Sequence, residues 1–217
     1  MNHFSPSILS ADFMELQADI DAATKGGTDW LHIDVMDGIF VPSISFGMPV
    51  LKCVRKKTEL FLDVHLMITE PERYIDEFVE SGADLITFHI EATSDVAAVI
   101  KQIRAKGVKV GLAINPETDA NLIKPYLKDI DMALVMTVHP GFGGQAYIDD
   151  CTKKIADIAA WIKEEGLSVD LEVDGGVKLD NVEMVLENGA NVIVAGSAVF
   201  KGDVVKNTQD FVKILGL

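Results

Sequence analysis

Short runs of apolar and β-branched residues return eight times along this chain, each followed by a longer stretch of mixed polarity, and that alternation limits the folds open to it. The runs are Phe4–Leu9, Trp30–Val35, Leu60–Met67, Leu85–Ile90, Val108–Ile114, Met132–Val138, Val169–Val173 and Val192–Ala195. Runs this short and this apolar read as strands buried on both faces. The stretches between them carry helical spacing. Phe13, Leu16 and Ile20, for example, share one face at three- and four-residue steps. Asp12 with Glu15, Thr69 with Glu72 and Asp180 with Glu183 form capping-box pairs, which are expected to open helices. Gly27-Thr28-Asp29-Trp30, Gly82-Ala83-Asp84-Leu85 and Gly189-Ala190-Asn191-Val192 repeat one device: a glycine that stops a helix just before a strand begins. Strict alternation demands parallel strands. Eight units with no Pro/Ser-rich linker predict an α/β fold of one kind, a single (β/α)8 TIM barrel over residues 1–217 with about eight helices. An open doubly wound sheet is the alternative. Its dinucleotide-binding form needs a G-x-G-x-x-G turn after the first strand, which this chain lacks.

Charge narrows the partners. The chain carries 34 acids against 19 bases, a net −15, which speaks against nucleic acid and against anionic lipid. A phosphorylated small molecule stays open, because backbone N–H groups bind phosphate without lysine. No apolar run reaches the roughly 18 residues of a membrane span, and Met1–Pro6 has no basic leader, so the cytoplasm is the expected compartment. Cys53 and Cys151 each fall in a stretch read as helical, with no C-x-x-C, and are expected to be reduced thiols.

Barrels of this kind build their sites at the C-terminal ends of the strands. There the second strand reads His32-Ile33-Asp34, the third Asp63-Val64-His65, and the seventh ends Glu172-Val173-Asp174. Residues two apart share a face, so His32, Asp34, His65 and Asp174 converge from three strands. Two imidazoles and two carboxylates make a mixed N/O set suited to Zn²⁺, Fe²⁺ or Mn²⁺. Asp63 sits one layer deeper, either orienting an imidazole or making a structural hydrogen bond. His89 is expected to be a satisfied neighbour of the site. His139, in the loop after the sixth strand, is placed to approach a substrate, and His3 has no expected role. Gly141-Phe142-Gly143-Gly144, Gly175-Gly176 and Gly196-Ser197 follow three adjacent late strands. Such turns let backbone N–H groups cradle a phosphate, with the Ser197 hydroxyl as a further donor. None of them holds a lysine or arginine, and Lys178 lies slightly too far along, so a small phosphosugar fits better than a nucleoside triphosphate. Met36, Met67 and Met136 fall near strand ends, as core residues or as an apolar cap over the site.

Five stretches resemble the signatures of ribulose-phosphate 3-epimerases: Ser7–Asp12, His32–Gly38, Asp63–Met67, Val135–Gln145 and Glu172–Val177. The resemblance runs in order along essentially the whole chain. It implies a (β/α)8 barrel that converts D-ribulose 5-phosphate to D-xylulose 5-phosphate through an enediolate. It also implies Asp34 and Asp174 as the acid/base pair and His32, Asp34, His65 and Asp174 as ligands of one divalent metal per subunit. That metal is usually zinc; iron, manganese and cobalt also serve. Ser7, His65 and the glycine turns become substrate contacts, and the methionines a cap. Assembly as a dimer or hexamer is implied too. Ser43 and His139 stand where the family commonly has asparagine. A D-allulose-6-phosphate 3-epimerase and a non-catalytic phosphosugar-binding barrel are the alternatives. A decarboxylase of the related type needs a lysine where this chain has His65.

Overall fold

The computed structural model describes residues 1–217. Its strands are β1 (His3–Pro6), β2 (Trp30–Met36), β3 (Phe61–Met67), β4 (Leu85–His89), β5 (Lys109–Ile114), β6 (Met132–Met136), β7 (Asp170–Asp174) and β8 (Val192–Ala195). From β2 to β8 each strand pairs in parallel with the next, and β8 pairs with β1. A single parallel bridge from Ser7 to His32 links β1 back to β2 at the seam of a nearly closed barrel. Around it run α1 (Leu16–Gly26), α2 (Met48–Arg55), α3 (Ile75–Glu80), α4 (Val96–Ala105), α5 (Cys151–Glu164), α6 (Val182–Glu187), α7 (Ser197–Phe200) and α8 (Val204–Leu215). The fifth unit departs from the expected alternation. Between β5 and β6 stand only two 3₁₀ turns, Ala120–Leu122 and Lys124–Asp129. Pro116 and Pro125 account for this, since each lacks an N–H and fixes its own φ.

Most buried apolar residues lie between the outer strand faces and the helices. The inside of the barrel is layered. Trp30, Leu85, Met132 and Val192, one from each even strand, form an apolar layer at the N-terminal end. Alternation along the strands then puts Ser5, Asp63, Gly111 and Glu172, all from odd strands, in the next layer up. Its three side chains are completely buried and polar, and Gly111 is required because a Cβ there would strike Thr87. Above come His32 and Thr87 and then His65 and Asp174, so polarity rises toward the C-terminal mouth.

Several local expectations change. The first run ends as a strand at Pro6. Ser7 turns its hydroxyl to accept from the Leu9 N–H, and Ile8–Ser10 becomes a 3₁₀ turn. None of the three capping boxes forms. Asp12 accepts from the Met14 N–H at 2.9 Å instead, and α1 begins four residues later at Leu16 without a side-chain cap. Phe13 falls outside α1 and is 54% exposed. The Thr69 N–H donates to Asp37, and α6 starts after Asn181 rather than Asp180. The glycine stops hold: Gly27, Gly82 and Gly189 have φ of 106°, 101° and 104°. Cys53 and Cys151 lie in helices and are unpaired. No helix is long and apolar enough to cross a membrane.

Candidate active site

His32 and Asp34 from β2, His65 from β3 and Asp174 from β7 meet at the C-terminal mouth of the barrel. His32 Nε2, Asp34 Oδ1 and His65 Nδ1 are each 3.3 Å from the other two. Asp174 Oδ2 lies 3.8 Å from His32 Nε2 and 3.6 Å from His65 Nδ1. Bonds of about 2.0–2.2 Å around a tetrahedral zinc require ligand–ligand edges of roughly 3.3–3.6 Å. The four atoms therefore have both the chemistry and the spacing to hold one such cation. Burial opposes a charge on either imidazole. The Asp63 and Asp34 carboxylates outweigh it at His32, and Asp174 and Asp34 do so at His65, so both rings sit above their ordinary pKa. At Asp34 burial is likewise outweighed, by His32 and His65, which hold its carboxyl far below the usual range. A pocket that draws positive charge onto buried rings favours a cation between them.

Each imidazole is held in one tautomer from behind. His32 Nδ1 is 2.6 Å from Asp63 Oδ2, which cannot donate when ionised, so the ring N–H points there and leaves the Nε2 lone pair to the site. His65 is fixed through a longer chain. Its Nε2 is 2.8 Å from His89 Nε2, and His89 Nδ1 is 3.2 Å from Glu91. With Glu91 ionised, His89 donates to it and accepts from His65, whose Nδ1 lone pair then faces the site. Burial drives His89 down to about 4, so it stays neutral, and burial at Glu91 is outweighed by His89 and nearby donors, which lower it to about 2. Asp63 thus takes the ring-orienting place of its two sequence readings, and His89 is a satisfied neighbour. Ser7 donates to Asp34 Oδ2 at 2.5 Å, which leaves Oδ1 turned to the histidines. Glu172 lies beneath, where burial and then the Asp63 charge push it well above the ordinary carboxylate range.

The cavity above these groups is lined by Ser7, Asp34 and Asp174, by all three methionines, and by Gly141, Phe142, Gly143, Gly144, Gly175, Gly176, Gly196 and Ser197. Met36, Met67 and Met136 are 5%, 1% and 2% exposed, so they form dry wall beside the two aspartates. Gly176 has φ of 67°, and a Cβ there would strike the Tyr147 backbone. Only glycine lets the turns after β6 and β7 come so close. The Gly144 and Gly176 N–H groups have no backbone acceptor. His65, completely buried, does not line the cavity, and neither does His139. His139 is two-thirds exposed and pairs with Glu117 at 2.9 Å, because the loop after β5 holds it outside. Ser10 and Lys178 line the cavity and were not assigned to it from sequence. Ser10 falls within the Ser7–Asp12 stretch, and Lys178 stands two residues past the Gly175-Gly176 turn.

A His/Asp cluster able to hold a cation, beside glycine-rich turns at the C-terminal mouth of a (β/α)8 barrel, is the arrangement of an enzyme of the barrel class. Solved structures of distant sequence share the fold. A tryptophan synthase α-subunit from Pyrococcus furiosus aligns over 100% of both chains with TM-score 0.73 at 14% identity. A 3-hexulose-6-phosphate synthase aligns over 99% of both with TM-score 0.70 at 20% identity. The family model described as the ribulose-phosphate 3-epimerase family matches residues 3–200. Ribulose-phosphate 3-epimerase of Bacillus subtilis is 47% identical over 197 residues, covering 90% of this chain and 91% of that one. The Synechocystis enzyme is also 47% identical, over 90% and 86%. The chloroplastic ribulose-5-phosphate-3-epimerase of Arabidopsis thaliana is 46% identical, over 90% and 70%. The chain belongs to the ribulose-phosphate 3-epimerase family, a family of isomerases of carbohydrate metabolism.

Proposed function

We propose that this protein interconverts D-ribulose 5-phosphate and D-xylulose 5-phosphate in the pentose phosphate pathway by moving a proton between Asp34 and Asp174. The observation that carries this reading is the placement of two carboxylates on β2 and β7 around one cation-sized gap, each with an oxygen turned to the same point. Inversion at carbon needs a base on one face and an acid on the other. His32, Asp34, His65 and Asp174 would hold one divalent cation, and zinc fits their N/O donors and their spacing best. When bound, the cation supplies Lewis-acid stabilisation of the oxygen on which negative charge develops.

The chain's own groups do the rest. One aspartate removes the C3 proton, and the other returns one to the opposite face of the enediolate. Their roles exchange in the reverse direction. Ser7 holds Asp34 by its outer oxygen, so the carboxylate keeps its orientation as its proton comes and goes. Met36, Met67 and Met136 exclude water that would otherwise protonate the intermediate indiscriminately. The Gly144 and Gly176 N–H groups, with Gly196 and Ser197, bind the phosphate and so fix C3 between the aspartates. Ile39 and Ile44, 79% and 78% exposed in the loop after β2, suit burial against a second copy in a homo-oligomer. The unpaired cysteines suit the cytoplasm.

The test is a coupled assay for D-xylulose 5-phosphate formed from D-ribulose 5-phosphate, with chelation and Zn²⁺ or Fe²⁺ rescue. Activity should vanish with the metal and return with it. Turnover of D-allulose 6-phosphate alone would move the substrate to the hexulose. No turnover of either with metal bound would sink the epimerase reading.

A further inference from the structure

The polar layer beneath the ligand tetrad holds an acid that the proton transfer does not use. Glu172 is completely buried, and neither of its oxygens has a hydrogen-bond partner; nor does Asp63 Oδ1. Unpartnered buried carboxyl oxygens lower stability, so an apolar side chain of similar size is the more stable choice for this position. Glu172 Oε1 nonetheless lies 3.4 Å from His32 Nδ1, on the side opposite the ligand tetrad, and Asp63 Oδ2 lies 2.6 Å from the same nitrogen. The three groups also fall within ligand reach of one another. A second cation does not fit them. A nitrogen and an oxygen 2.6 Å apart are hydrogen-bonded, and a tetrahedral shell needs edges of roughly 3.3 Å.

We propose that Glu172 is a positioning residue for the metal site: with Asp63 it brackets Nδ1 of His32 from below, fixing the ring so that Nε2 faces the cation. Asp63 alone gives the ring one anchor. Ser5 donates to that same Asp63 oxygen at 3.2 Å, and Glu172 Oε1 stands 3.4 Å from the His32 nitrogen that this oxygen holds. Without a polar atom at this position Nδ1 of His32 has Asp63 alone to hold it, and the ring turns more freely. The inference rests on the metal-site reading above.

The experiment uses metal-free wild type, Glu172→Gln and Glu172→Met. Three quantities are read: zinc affinity by competition with a chelator of known affinity, thermal unfolding without metal, and the ¹⁵N shifts of the His32 ring. Replacing such an outer partner typically weakens metal binding about 10–100-fold. Glu172→Met should show that loss while its metal-free melting temperature stays level or rises, and with zinc bound its His32 Nδ1 shift should move toward that of a ring N–H with a weaker acceptor. Glu172→Gln keeps a polar oxygen beside His32 Nδ1 and should bind zinc within about threefold of wild type. Zinc binding by Glu172→Met equal to wild type overturns the proposal. So does a metal-free Glu172→Met that melts well below wild type, which would make Glu172 a structural support. A loss in Glu172→Gln as large as in Glu172→Met overturns it too, because the amide keeps a polar oxygen at the place invoked. Turnover is not read, so zinc binding without epimerase activity would count against the substrate and leave this inference standing.

Discussion

His89 carries a pH signature from outside the ligand set. Burial holds its folded pKa near 4, against 6.5 for the free side chain, and the Glu91 carboxylate only partly offsets that. The unfolded chain therefore takes up a proton between pH 6.5 and 4 that the folded chain refuses. Stability from this group is complete above pH 6.5 and is lost as pH falls through that window, by about 3 kcal/mol at most. Urea midpoints of the metal-free protein at pH 7 and pH 4.5 should show the loss, and His89→Gln should flatten it. An unchanged slope in His89→Gln would assign the loss to other groups. The reacting carboxylates are tested differently. Asp174→Asn removes one end of the proton transfer and should cost about 10²–10⁴ in kcat. Phosphosugar affinity should change far less. A pure binding protein would show no turnover to lose, so a measurable wild-type rate with a dead Asp174→Asn separates the two.

Helix ends reward the caps that form, not the ones the sequence spells. Asp203 accepts from the Lys206 N–H at 3.0 Å and starts α8, whose Phe211 and Leu215 are buried. Asp203→Ala should cost about 1 kcal/mol. Asp180→Ala, at a capping box that does not form, should stay within about 0.5 kcal/mol. Denaturant titration of the two variants checks both, and equal losses would mean that Asp180 caps in solution. With 34 acids in the chain, a Thr-x-x-Glu or Asp-x-x-Glu spacing arises by chance, so the motif alone could not locate these starts. The glycine stops were legible because a left-handed φ before a strand is a local demand with few residues to meet it. His32, Asp34, His65 and Asp174 were legible because two-residue alternation at a strand end fixes which way a side chain faces. The position of His139 was not, since it depends on Glu117 in a different loop. Glu172 was hidden for another reason: its inward phase is readable, but nothing in a sequence reports that a carboxyl lacks partners.

The barrel closes along a seam, and the site is built across it. β1 meets β2 through one bridge, Ser7 to His32, and the Ser7 hydroxyl reaches Asp34 from the same place. The ligand set in turn joins β2 and β3 to β7 on the far side of the barrel. A cation bound there ties together strands that the backbone ladder connects only through their neighbours. It binds the folded chain and not the unfolded one, so at a hundred times its dissociation constant it should add about 2.7 kcal/mol. For a chain of this size that is roughly 5–10 °C in melting temperature. Ser7→Ala should act on both terms. Losing the hydroxyl at the seam should lower metal-free stability by about 1 kcal/mol. Freeing Asp34 to rotate should also weaken zinc, so the zinc-induced rise at a fixed metal concentration should shrink. Calorimetry of wild type and Ser7→Ala, with and without zinc, gives both numbers. If Ser7→Ala lowers the metal-free melting point but leaves the zinc increment whole, Ser7 closes the barrel without orienting Asp34. If neither moves, the backbone ladder alone holds the seam.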